Sequence, residues 1–421
     1  MRIGGVSLAR NGDRVALSAR VEWEESGRPP FELTFTSRGT GADVLGADPH
    51  PFLLASVVPA WRSGERRIAV EGAVCPRLRD GIAAVQRLLS AWWKRDRPPA
   101  ALEPSDGFRP FAGRRERSAL FLTGGVDSLH LLRKNRQAFP AGHPASFRDA
   151  ISIRSMSFAE EVPTPRAGDL ARRHAKAVAE IAARNDLEVV EIDGNFRILG
   201  GVVLAGPQDQ GALLASAAHA FAQRIGSASI AATLDAGALH RWGTHPLLDP
   251  LFSSSGVEIR HEEFRPGRSE KIAEIAGWDV ARRHLQVCFE GPLPDGESNC
   301  GRCEKCLRTM TALAALGVLD DFAAFGGRRV TPEAIESMTF GYSPENFALY
   351  WAPLVPLLER GGAGRIAAAV RAKIAEARRI ERWHRDAGWK GKLRRLDRGL
   401  LGGTLQRVTQ RWRGTPPAAP G

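Results

Sequence analysis

Cysteine is scarce in this chain, with five in 421 residues. That is too few for a disulfide scaffold, and four of the five fall between positions 288 and 306. Such clustering points to a metal site in a reducing compartment and leaves Cys75 outside the set. Long apolar runs are missing too. No stretch approaches the ~20 residues that a membrane-spanning helix needs. The start, Met1-Arg2-Ile3-Gly4-Gly5-Val6, lacks the apolar core of a signal peptide, so a cytoplasmic protein is expected. Most of the chain also lacks a charge excess. The formal net charge of +12 comes from residues 360–421, which hold 16 Lys+Arg against 4 Asp+Glu. Residues 1–359 sum to zero. The chain is therefore a neutral body with a basic tail. At 43% hydrophobic and 25% charged residues, it has ample material for a core and no disorder signature.

The length suits two or three domains of roughly 100–200 residues. Residues 1–94 read as a small α+β domain. Segments 14–22 and 31–35 alternate in the strand manner around the turn 26–30, and 67–70 adds a strand. Residues 79–93 have helical spacing, with Ile82, Val85, Leu88, Leu89 and Trp92 on one face. Residues 95–117 carry Pro98, Pro99, Pro104 and Pro110 and read as a linker. Over 118–325 strands and helices alternate. The expected strands are 119–122, 150–156, 187–192 and 228–232; helices are expected from Ser128 and over 169–183 and 211–225. This order predicts an α/β fold with a Rossmann-like doubly wound parallel sheet, whose ligands bind at the carboxyl ends of the strands. Residues 326–421 read as a helical C-terminal region with the basic tail, including a helix over 365–383.

The first motif is Phe121-Leu122-Thr123-Gly124-Gly125-Val126-Asp127-Ser128. An apolar strand runs into a glycine turn and a helix begins near Asp127. Glycines let the backbone approach a ligand closely, and the amides and dipole of the helix N-terminus favour an anion. Thr123 and Ser128 offer hydroxyls to phosphate oxygens, and Asp127 offers a ligand for Mg²⁺. The spacing is neither GxxxxGK[ST] nor GxGxxG. The alternative is a packing turn in which Asp127 only caps the helix.

The second motif is Cys288, eleven residues, then Cys300-Gly301-Arg302-Cys303-Glu304-Lys305-Cys306. Four thiolates satisfy a tetrahedral Zn²⁺ site that leaves no open position, so a structural role is expected. The eleven-residue gap suits a loop returning from a strand end near residues 286–289. An iron–sulfur cluster is the competing reading, but the further Cys-Pro of the ferredoxin run is absent after Cys306.

The first motif resembles the Ser-Gly-Gly-x-Asp-Ser signature of the PP-loop ATP pyrophosphatases (adenine nucleotide alpha hydrolase type), with Thr123 in place of the first serine. That superfamily cleaves ATP between the α and β phosphates. With the cysteine motif, residues 118–320 resemble the 7-cyano-7-deazaguanine synthase (QueC-like) family. There too the first zinc-site cysteine lies well upstream of the knuckle, an arginine (here Arg308) follows the last one, and a helical lysine (here Lys271) precedes it. The resemblance implies ATP, Mg²⁺ and Zn²⁺ as cofactors. It also implies adenylation of a carboxylate on a 7-deazaguanine or related acceptor, followed by attack of ammonia or an amine. Asp127, Ser128 and Lys271 are then the catalytic candidates, Thr123, Gly124, Gly125, Val126, Asp127 and Ser128 the nucleotide-binding ones, and the four cysteines the metal ligands. Residues 1–117, the tail, and His240-Arg241-Trp242-Gly243-Thr244-His245-Pro246 have no counterpart in the small family enzyme.

Arg268 joins Lys271 as a candidate for neutralising phosphate, and His240, His245 and His261 are candidate bases. The basic tail suits an anionic partner, whether RNA, protein or membrane surface; a homodimer is also compatible. Two other readings remain: a nucleic-acid-modifying PP-loop enzyme, and a non-catalytic nucleotide-binding subunit.

Overall fold

The computed structural model describes residues 1–93, 96–111, 113, 115–154, 165–195, 198–199, 202–203, 208–340 and 344–385. The basic tail beyond Arg385 and the end of the expected 150–156 strand lie outside them. Met1–Gly267 with His284–Pro292 make one compact unit, and Arg268–Arg283 with Leu293–Gly421 make a second.

The first unit opens with strands β1 (Arg2–Asn11), β2 (Arg14–Glu22) and β3 (Phe31–Arg38), then α1 (His50–Ser63), β4 (Arg67–Val70), α2 (Pro76–Trp93) and β5 (Ala101–Pro104). It continues through β6 (Arg117–Phe121), α3 (Val126–Ala138), β7 (Phe147–Ile153), α4 (Pro165–Ala183) and β8 (Glu188–Gly194). The short strands β9 (Ile198–Leu199) and β10 (Val202–Val203) pair separately, before α5 (Gln210–Ala220), β11 (Ile225–Ala231) and β12 (Glu258–Glu262).

Ten strands form one mostly parallel sheet in the order β12-β11-β6-β7-β8-β3-β2-β1-β4-β5. From β12 to β8 all neighbours are parallel. Counted along the chain from β6, this block has the order 3-2-1-4-5 of a doubly wound sheet, and the order reverses between β6 and β11. Helix α3 packs on β6, β7 and β11, α4 on β7 and β8, and α5 on β11. Right-handed crossovers put α5 on the face opposite α3 and α4.

Burial explains these elements. Residues 149–153 of β7 are all buried, as expected for a parallel strand covered on both faces. In β2 only Val15, Leu17, Ala19 and Val21 are buried, so this strand covers a core with one face. All of α1 from His50 to Trp61 is buried, and it packs on α5. Phe35 of β3 meets Phe52 of α1 edge-on, with ring centroids 5.4 Å apart. One hydrophobic cluster runs from Met1 to Ile259 and takes in both parts of the sheet. At the amino ends of the parallel strands, buried Asp149 accepts two hydrogen bonds of 2.8 Å from Arg117 and further ones from Arg224.

Two local expectations change. The proline-rich stretch 95–117 contains β5, which pairs in parallel with β4, because Pro104 stands at the strand's end at a sheet edge where a missing N–H is tolerated. No strand precedes Cys288: helix α7 (Asp279–His284) ends just before, and residues 285–294 have no regular structure. A cis peptide joins Gly291 and Pro292 within that stretch.

The second unit contains α6 (Arg268–Ala276), α7, α8 (Glu304–Ala315), α9 (Pro332–Ser337), α10 (Pro344–Trp351), α11 (Leu354–Arg360) and α12 (Gly364–Arg385). Helix α12 buries Ala367, Val370, Ile374 and Ala377 and packs on α9, α10 and α11. Its apolar stripe is thus covered, and Lys373 donates to the Glu336 carbonyl. No helix of the described residues is long and apolar enough to cross a membrane.

Candidate functional site

The Thr123–Ser128 turn connects β6 to α3, so it lies at the carboxyl edge of the parallel block, beside the point where strand order reverses. This is where doubly wound sheets bind ligands. The turn needs the first of its two glycines. Gly124 has φ 71°, a left-handed conformation that strains any other residue, and it lies in contact range of Gln286 and Ile181. Gly125 is the N-cap of α3, and no side chain caps the helix.

Side chains tighten the turn from within. The Thr123 amide donates to Ser128 Oγ at 3.3 Å, the Ser128 hydroxyl donates to the Gly125 carbonyl at 3.1 Å, and the Gly125 amide donates to Thr123 Oγ1 at 3.3 Å. The Gln286 amide fastens the outside of the turn by donating to the Gly124 carbonyl at 2.9 Å. Thr123 is exposed, Asp127 is half-buried in the first turn of α3, and Ser128 is buried. Ser128 therefore shapes the turn, and Thr123 presents the more accessible hydroxyl. The first amides of α3 precede its earliest internal hydrogen bond, from Leu129 to Gly125, and belong to the group a helix leaves unsatisfied. The arrangement is chemically suited to an anion.

The second set comprises Cys288, Cys300, Cys303 and Cys306, whose ligand atoms all lie within 4.8 Å of one another. Three are buried and Cys303 is half-buried. Backbone amides prepare the sulfurs: Cys300 Sγ accepts from Arg302 and Cys303 at 3.4 and 3.3 Å, and Cys288 Sγ accepts from Glu290 at 3.3 Å. Gly301 has φ 69°, and a Cβ there would collide with Arg328 Cδ at 2.2 Å, so the knuckle requires glycine. Cys303 is the N-cap of α8, placing Cys306 in its first turn. Cys300 and Cys306 sulfurs are 3.8 Å apart. A tetrahedron with metal–sulfur bonds of ~2.3 Å has edges of about 3.8 Å. The four-cysteine cluster could thus hold a metal such as zinc.

Lys271 and Arg268 lie on α6 in the second unit, and Lys271 is fully buried, a rare place for an ammonium group. Arg308, on α8, is buried, stacks over the Tyr350 ring at 4.5 Å and pairs with Glu304 at 3.2 Å.

Two of the candidate histidines converge on a residue that sequence reasoning missed. Fully buried Asp249 accepts from Thr244 Oγ1 at 2.6 Å, His261 Nδ1 at 2.7 Å and the His245 amide at 3.3 Å. Burial, followed by the neighbouring His261, pushes the His245 pKa down, so His245 favours the neutral form. His240 is not in this set; its Nδ1 contacts the Ala238 carbonyl at 3.2 Å. The aspartate could not be singled out from the sequence, because no spacing pattern ties it both to the Thr244–His245 loop before it and to His261 on β12.

No protein-family model, curated protein or solved structure matches the chain.

Proposed function

We propose that this protein is an ATP-dependent enzyme that activates a carboxylate by adenylation. The observation that carries the proposal is the Thr-Gly-Gly turn, which leads into a helix N-terminus at the reversal point of a doubly wound sheet. A carboxylate is a poor electrophile because its leaving group would be oxide. In the proposed reaction a carboxylate oxygen attacks the α-phosphorus of ATP, the α–β phosphoanhydride bond breaks, and pyrophosphate departs with the electron pair. Ammonia or an amine then attacks the acyl carbon and AMP leaves.

The turn's contribution is electrostatic. Amides at the start of α3 and the exposed Thr123 hydroxyl face developing phosphate charge, with no reorganisation needed. Asp127, in the first turn of α3, is the residue that would hold Mg²⁺, which neutralises phosphate charge when bound. The cysteine set is read as a structural zinc site, since four thiolates leave zinc no open position. One ion fits sulfurs this close better than an iron–sulfur cluster, which places several irons between its cysteines.

The acceptor is read as 7-carboxy-7-deazaguanine or a related acid, in keeping with the QueC-like motifs, and a cytoplasmic location with reduced cysteines. The test is incubation with ATP, Mg²⁺, ammonia and 7-carboxy-7-deazaguanine, followed by mass spectrometry. Amide or nitrile product together with AMP is expected. AMP formed without product would retain the activation chemistry and reject this acceptor; neither would reject both.

A further inference from the structure

The N-terminal strands have no part in the turn or the cysteine set, yet they wall a cavity of about 170 Å³ at the seam between β3 and β8. Arg14, Arg38 and Arg154 line it together with Glu191 and Asp193. Arg14 and Arg38 stand directly opposite each other in the β2–β3 ladder. Like charges in that relation destabilise a sheet.

Neither of these two side chains has a carboxylate partner among the described residues: Arg14 donates to Thr36 Oγ1 at 3.3 Å, and the Arg38 guanidinium, whose backbone is paired in the ladder, lies in the same wall. The acids in the wall form no ion pair with either arginine. Glu191 pairs with Arg154 at 3.5 Å, and Asp193 Oδ1 accepts from the Gly194 amide at 2.8 Å. Both arginines are exposed, and an anion between their guanidinium groups would offset their repulsion and meet forks suited to carboxylate or phosphate. The cavity is smaller than a typical ligand pocket of ~300 Å³ or more, so it suits one anionic group and not a whole molecule.

Its position connects it to the turn. Arg154 directly follows β7, and its amide donates to the Ile192 carbonyl near the carboxyl end of β8. The Leu122 amide, just before the turn, donates to Ile151 of the same β7. Two to three strand spacings, roughly 10–15 Å, separate the turn from the cavity along one sheet edge. We infer that Arg14 and Arg38 form an anchoring site for a second anionic group, carboxylate or phosphate, of an extended acceptor whose reacting carboxylate reaches the turn. The word acceptor rests on the adenylation reading; the anion site does not.

The test is calorimetric titration of the full chain with inorganic phosphate and, separately, succinate. It uses the native chain, Arg14→Gln/Arg38→Gln, Arg38→Gln alone and Gly124→Val, each checked for folding by circular dichroism. Binding that survives Gly124→Val and weakens about tenfold or more in the double arginine variant is expected. The single variant should fall between, and the tighter of the two probes identifies the anchored group. No anion binding by the native chain, binding unchanged in the double variant, or binding abolished by Gly124→Val alone would each overturn the site. ATP turnover is not read, so a failure of the adenylation reading stays separate from a failure here.

Discussion

From β12 to β8 every neighbouring pair of strands is parallel; from β8 to β1 every pair is antiparallel. Parallel strands deliver all their carboxyl ends to one edge, where turns and helix N-termini gather. The Thr123–Ser128 turn sits there because β6 ends there. Antiparallel strands send alternate ends each way and gather no such edge. What they offer is side chains along their faces, and Arg14 and Arg38 are offered in that way. Within one continuous sheet, then, the parallel part gathers backbone amides at one edge and the antiparallel part presents side chains along its faces; the proposed phosphate grip draws on the first and the proposed anion anchor on the second.

The largest expected effect lies in neither part of the sheet and gives the comparison its control. Cys300→Ser should abolish stoichiometric metal binding and cost several kcal/mol, because structural metal binding is folding free energy. Zinc content and thermal unfolding report it; an unchanged melting temperature with metal still bound would remove the cysteine set from the account.

Phe35→Ala attacks the shared core directly. Phe35 is fully buried in β3 against Phe52, and truncation should cost about 3–5 kcal/mol. If both parts of the sheet belong to one core, denaturant unfolding stays a single transition at lower midpoint for Met1–Gly267. Separate transitions, with only one moved, would break the comparison.

A smaller effect comes from acid. Burial lowers the pKa of His219 to about 4, helped by His50, and that of His174 to about 4, helped by Arg154. Both imidazoles are held neutral in the fold and take up protons on unfolding. Their contribution is full above the ordinary value of about 6.5 and is lost as pH falls towards 4, on the order of 3 kcal/mol for each. His219 is on α5, and its ring centroid is 6.3 Å from that of His50 on α1. His219→Phe should therefore flatten the decline in melting temperature between pH 6.5 and 4; an unaltered pH profile would contradict the assignment.

These elements differ in how far the sequence discloses them. The strand before Thr123, the turn and the start of α3 can be read locally, since glycine and hydroxyl spacing is contiguous. The cysteines are equally plain. Helix α1 cannot be read from periodicity because it is buried on every side and holds Pro59 within it. Strand β12, Glu-Ile-Arg-His-Glu, escapes because it is short and charged at the sheet's edge. Strand β1 escapes because Gly4 and Gly5 interrupt it, with a bulge at that point. The β3–β8 pairing joins Phe35 to Gly194 and Thr36 to Asp193, partners far apart in sequence. The arginine cavity depends on such long-range meetings, whereas the Asp249 cluster closes within residues 244–261, through a loop whose course no local pattern announces.

The central claim is that the Thr123–Ser128 turn grips ATP for adenylation. Its most direct test is pyrophosphate release from ATP with Mg²⁺ and a carboxylate acceptor, compared between the native chain and Asp127→Ala. The account predicts release by the native chain and a loss of roughly a hundredfold or more in the variant, with folding retained. Equal release by the two proteins, or none from the native chain with ATP unbound, would contradict it.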